Sequence, residues 1–153
     1  MQKGSTLFLK VVIYSLGLAV LGLCVIIAGV SISGNAGMYL PVLLIMGVAG
    51  IPFFYALYQG LLLLSYIDSS APFSELSVKA LRTARYCHFA VSSIYAVGMP
   101  YIIWVAEKDD APGVVAFALL IIFAFLVVGV FTAVVEKLVQ NALDIKKENE
   151  LTI

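Results

Sequence analysis

Charged residues are what this sequence most lacks. Asp, Glu, Lys and Arg make up 12% of its 153 residues, against about 25% in soluble domains. None occurs between Lys10 and Asp68. With 63% hydrophobic residues and a mean hydropathy of +1.09, a water-soluble fold of this size would expose apolar patches that aggregate, so lipid is the solvent that fits. Nine basic and nine acidic residues cancel, and no bulk charge argues for direct nucleic acid binding. Cysteine is equally scarce. Cys24 and Cys87 form neither a CxxC nor a zinc spacing, and their depths differ by about 15 Å along the membrane normal, too far for a bridge. Two free packing thiols are expected. A single histidine, His88, cannot supply a metal site and has no oriented partner that would make it a base. No nucleophile lies in a recognisable catalytic setting, so neither enzyme activity nor a cofactor is expected.

What is present is long apolar runs. A bilayer core needs about 20 helical residues, and four runs meet that length, at about 11–30, 39–67, 86–106 and 114–135. The first two are joined by Ser31-Ile32-Ser33-Gly34-Asn35-Ala36-Gly37, rich in turn-forming residues. The last two are joined by Glu107-Lys108-Asp109-Asp110-Ala111-Pro112-Gly113, where Pro and Gly resist continued helix. The first run is longer than a signal-peptide core and is followed by no clean cleavage site, so it is read as a retained span. Orientation follows from the basic residues. Lys3, Lys10, Lys79, Arg82, Arg85, Lys137, Lys146 and Lys147 fall on one side and Lys108 alone on the other. The reading is an all-α membrane protein of four transmembrane helices, a single domain with both termini, the loop 68–85 and the tail 136–153 cytoplasmic, and the turn 107–113 outside. Tyr39, Tyr66, Tyr86, Tyr101 and Trp104 fall near span ends, where amphipathic rings prefer to sit.

The spans contain no Asp, Glu, Lys or Arg. Intramembrane charge usually marks ion paths and proton relays, and its absence argues against a proton-coupled pump or a charge-selective transporter. Milder polar faces remain. Tyr55, Tyr58 and Gln59 share one face of span two, and His88, Ser92 and Tyr95 one face of span three. They are expected to meet and hydrogen-bond across helices as structural glue, with a small polar pocket as the alternative. Pro52 and Pro100 should each kink their helix. Small residues four apart, Cys24 with Ala28 and Gly129 with Ala133, permit close helix approach or a homo-oligomer.

Outside the spans, Ser74 is a candidate N-cap for a short amphipathic helix between spans two and three. Its Lys79, Arg82 and Arg85 would meet anionic headgroups or a cytoplasmic partner. The tail should continue span four as helix, because Phe131, Val134, Val135, Leu138, Ala142 and Ile145 recur at helical spacing. Such a stripe needs cover, most simply from the middle-loop helix, alternatively from another copy or a partner. Glu107, Asp109 and Asp110 lack the spacing of a ligand loop and read as a solvated turn, with Asp109 or Asp110 capping span four.

Several segments together carry a resemblance: Gly4-Ser5-Thr6-Leu7-Phe8-Leu9-Lys10, Ile51-Pro52-Phe53-Phe54-Tyr55-Ala56-Leu57-Tyr58-Gln59, Phe73-Ser74-Glu75-Leu76-Ser77-Val78-Lys79-Ala80-Leu81, Ala106-Glu107-Lys108-Asp109-Asp110-Ala111-Pro112-Gly113 and Gln140-Asn141-Ala142-Leu143-Asp144-Ile145-Lys146. Over nearly its whole length the chain resembles the YoaS-like family of small bacterial membrane proteins, a domain family of unknown function. The resemblance implies the cytoplasmic membrane of a bacterium and a neighbouring gene for an Xre-like helix-turn-helix regulator; it supplies no active site. The expected role is a non-catalytic regulatory or interaction protein acting through its cytoplasmic face, with a small channel, transporter or toxin-resistance (immunity-type) protein as the alternative.

Overall fold

A helix satisfies its own backbone hydrogen bonds, which is why an apolar chain crossing lipid takes that form. The computed structural model describes residues 2–34, 36–69 and 71–152. Four helices account for nearly all of them: α1 (Gln2–Ile32), α2 (Leu40–Asp68), α3 (Glu75–Lys108) and α4 (Pro112–Leu151), with one 3-10 turn at Gly37–Tyr39 leading into α2. Among the described residues there is no strand, and all four helices are long and apolar enough to cross a membrane. Asn35 in the first turn and the side chain of Lys3 lie outside the described residues. On either side of Asn35, Gly34 and Gly37 take φ of +73° and +47°, a backbone region open to glycine without steric cost.

Two expectations about element boundaries change. The short amphipathic helix is not a separate element, because α3 runs unbroken from Glu75 through the third span. No Gly or Pro interrupts residues 74–97, so nothing ends the helix at the membrane surface. Ser74 does cap it, accepting a hydrogen bond from the Ser77 amide at 3.2 Å. Nor does Asp109 or Asp110 cap α4; its N-cap is Ala111, with no side-chain bond. Asp109 is drawn instead to the Tyr39 hydroxyl, and Asp110 closes the turn at φ +51°, a left-handed conformation that Asp tolerates better than most residues. The tail is helical as expected, since α4 extends 40 residues. At 1.5 Å per residue that is roughly 60 Å, about twice a hydrocarbon core. Both Pro52 and Pro100 lie inside continuous helix.

The chain folds up and down, so both termini and the α2–α3 connection share one end. Lys10 pairs with Asp68 there, and Lys147 with Glu75. At the opposite end Tyr101 donates to the Met38 carbonyl at 3.0 Å, and Trp104 packs on Tyr101 with Lys108 above it. α3 is central, packing against α2 and α4, while α1 rests mainly on α2. The core gathers Ala49, Val91, Tyr95, Ile102 and Ala118, with Phe53 and Phe125 edge to face beside it. Lipid competes for apolar side chains as well as protein does, so close fit rather than water exclusion holds such helices together. Gly129 shows this: a Cβ there would stand 2.9 Å from the Phe89 ring. Cys24 and Cys87 are both free thiols.

Candidate functional site

The most built polar feature lies where α3 and α4 leave the apolar zone, at the end carrying the termini. Arg82 and Arg85 sit three residues apart on α3 and so share a face. Opposite them, Thr132, Glu136, Val139 and Leu143 recur at steps of four and three along α4, which turns Glu136 inward. Its side chain is 9% exposed. Arg82 Nε donates to Glu136 Oε1 at 2.9 Å, and Arg85 Nη1 lies 3.1 Å from Oε2, near enough for ion pairing although no N–H is aimed at that oxygen. The Glu136 hydrogen bond and charge hold the Arg82 guanidinium above its usual pKa. Arg85 also covers the Tyr86 ring at 4.8 Å. One turn below the α3 cap, Ser77 is fully buried and shares a hydrogen bond with Ser74. Of the three basic residues expected to form a free surface, two are thus engaged within the protein. Lys79 is exposed, and no ion pair engages it among the described residues.

A second bridge ties the outer part of the extension. Lys147 Nζ donates to Glu75 at 2.6 Å, holding Glu75 below its ordinary 4.5 and Lys147 above its ordinary 10.5. A lowered acid stabilises the folded arrangement above its unfolded pKa and loses that contribution as pH falls through the folded value; a raised base does the opposite at the alkaline side. The bridge therefore holds between those two limits. Spin labels at Leu76→Cys and Glu148→Cys, with Cys24 and Cys87 replaced, should report a narrow distance distribution at neutral pH that broadens as pH falls below the ordinary carboxylate range. An unchanged distribution there would show that the bridge does not hold the tail.

The expected intramembrane polar cluster does not assemble. Tyr55 and Tyr58 stack on each other with centroids 6.3 Å apart, but are 50% and 52% exposed, facing the surroundings rather than α3. Gln59 is buried. Ser92 donates to the Ile122 carbonyl of α4 at 3.1 Å, bonding away from α2. His88 lies against Phe125, its Nδ1 buried without a hydrogen bond. Tyr95 joins the core. No hydrogen bond between described residues links the α2 set to the α3 set. Ser92 answers to α4 because α3 is gripped from both sides, which sequence spacing on two helices cannot reveal.

Within the spans, a cavity of about 160 Å³ lies among all four helices, walled by Cys24, Ala49, Phe53, Tyr95 and Phe125 among others. Apart from the Tyr95 hydroxyl, the Cys24 thiol and the Met46 thioether, the side chains on this wall are hydrocarbon, so it offers little to a hydrated ion. The tail stripe meets a different fate from the one expected. Phe131, Val134, Leu138 and Ile145 are exposed, whereas Thr132, Glu136 and Leu143 face inward. The ion pair to Arg82 and Arg85 fixes the rotation of α4 and leaves these four residues of the stripe without intramolecular cover, while Val135 and Ala142 are half-buried. In the sequence Glu136 reads as a solvated acid just past a span; its place on the seam with Thr132, Val139 and Leu143 is the signal that marks it.

Comparison with known proteins agrees with this architecture. A family model described as a protein of unknown function (DUF2975) matches residues 28–153. The "Uncharacterized membrane protein YoaS" of Bacillus subtilis (strain 168) is 42% identical over 160 residues, covering 100% of both chains. No solved structure matches.

Proposed function

The chain belongs to the DUF2975 family of proteins of unknown function, and from that footing we propose a non-catalytic adaptor that holds a protein partner at the inner surface of the bacterial membrane. That it is a multi-pass membrane protein rests on the four spans and the relative. The adaptor role is supported by one observation: Leu138 and Ile145 stand exposed on the α4 extension beyond the last apolar run. An uncovered apolar row on a rigid helix is the helix-in-groove form of recognition. The in/in orientation follows the distribution of basic residues and puts this row in the cytoplasm. The family resemblance suggests an Xre-like helix-turn-helix regulator as the partner, and the apolar cavity favours this reading over a channel or transporter.

Affinity capture of the solubilised full chain with that regulator should retain it, and Leu138→Glu/Ile145→Glu should reduce retention about tenfold, a change of roughly 1.4 kcal/mol. If the regulator neither binds nor changes its target transcripts when the membrane protein is deleted, the proposal fails.

A further inference from the structure

Between the first turns of α3 and the extension of α4 runs an open groove of about 620 Å³. Lys79, Arg82 and Tyr86 line one wall, and Gln140 and Lys147 the other. The charges around it are unequally engaged. Lys147 is held by Glu75, Gln140 donates to Asp144, and Arg82 spends only its Nε on Glu136. That leaves both Arg82 Nη groups and the whole Lys79 ammonium for a ligand. These donors sit three residues apart and project from one face. Guanidinium and ammonium side by side are the chemistry that binds phosphate oxygens, the first as a fork and the second as a point charge.

Height decides which phosphate. Tyr86 is the first residue of the third apolar run and stands exposed at the lower end of the groove. Arg82 lies about 6 Å and Lys79 about 10 Å above it along the helix. A leaflet's polar layer is about 5–8 Å deep beyond the hydrocarbon, so the Arg82 guanidinium falls at headgroup level and Lys79 reaches down to it. Leu76 and Val78 add hydrocarbon to the same wall. We propose that this groove is a binding site for the phosphate headgroup of an anionic phospholipid of the inner leaflet. The leaflet rests on the orientation argued above; the binding itself does not, and it requires no protein partner.

Native mass spectrometry of the full chain, released from detergent with equal amounts of phosphatidylglycerol and phosphatidylcholine, tests the site. Adducts of the anionic lipid should predominate. Lys79→Gln should lower that preference about fivefold, the contribution of one cation near such a surface, and Lys79→Glu should lower it further. Lys79 has no ion pair to break among the described residues, so both variants should keep the wild-type unfolding midpoint. Lys108→Gln, at the opposite end, should keep the preference. The proposal is overturned by equal adducts in the wild-type chain, by a preference that survives Lys79→Glu, or by one lost equally with Lys108→Gln. Displacement of the lipid by millimolar inorganic phosphate would also overturn it, since that would assign the groove to a soluble anion. A failed capture of the regulator leaves all these readings unchanged, so the two proposals fail separately.

Discussion

Arg82→Gln/Arg85→Gln is expected to destabilise the bundle more than Glu136→Gln, although all three residues belong to one cluster. The difference lies in which charge is stranded. The Glu136 side chain is 9% exposed, whereas those of Arg82 and Arg85 are 55% and 25% exposed. Removing the acid lets two long side chains swing toward water and loses mainly a charge-assisted hydrogen bond, a cost at Glu136 of about 1.5–3 kcal/mol. Removing both arginines leaves a carboxylate inside the helix seam with no counter-charge. Such stranding costs about 3–5 kcal/mol for a fully buried group, and the low end fits Glu136 because water reaches the rim of the seam. The triple variant, with all three replaced by glutamine, should regain part of the loss. Circular dichroism during titration with denaturing detergent would rank the variants. If Glu136→Gln proves the worse, or the triple variant recovers nothing, Glu136 is not the buried charge that this packing makes it.

Ile102→Ala carries the next largest expected effect. Ile102 is 1% exposed and sits in the core with Ala49, Val91, Tyr95 and Ala118. In a water-soluble core this truncation costs about 2–5 kcal/mol, part transfer and part cavity. In lipid the transfer part shrinks, because the separated helix is already in hydrocarbon. The cavity part persists, and about 2 kcal/mol is expected. Val97 is the matched control: it lies on the same helix and is 82% exposed, so Val97→Ala should change stability by less than about 0.5 kcal/mol. Equal losses at the two positions would mean that α3 does not present the faces described.

The contrast between Ile102 and Val97 also explains what was legible beforehand. The four spans could be read because charge is excluded from hydrocarbon whatever the packing. The Ser74 cap and the helical tail were legible too, the first from local chemistry and the second from spacing. Which face of each span points inward was not legible, because lipid and protein interior are equally apolar. Tyr55 and Tyr58 looked like an inward polar face, yet they face outward and stack on each other. Ser92 falls on a polar face by spacing, but its partner is a backbone carbonyl, which no side-chain pattern encodes. At the membrane surface the ambiguity reversed. Arg82 and Arg85 resembled a free basic patch, since a single acid on a distant helix, Glu136, gives no local sign that it will fold back between them.

The unbroken course of α4 has a mechanical consequence. Past Glu136 it continues to Leu151 without a hinge, a stalk of roughly 22 Å. Rocking the intramembrane half by about 10° around that anchored point would sweep the tip by roughly 4 Å. Any such change of tilt would be carried along the unbroken helix to the Lys147–Glu75 bridge that ties the stalk to α3.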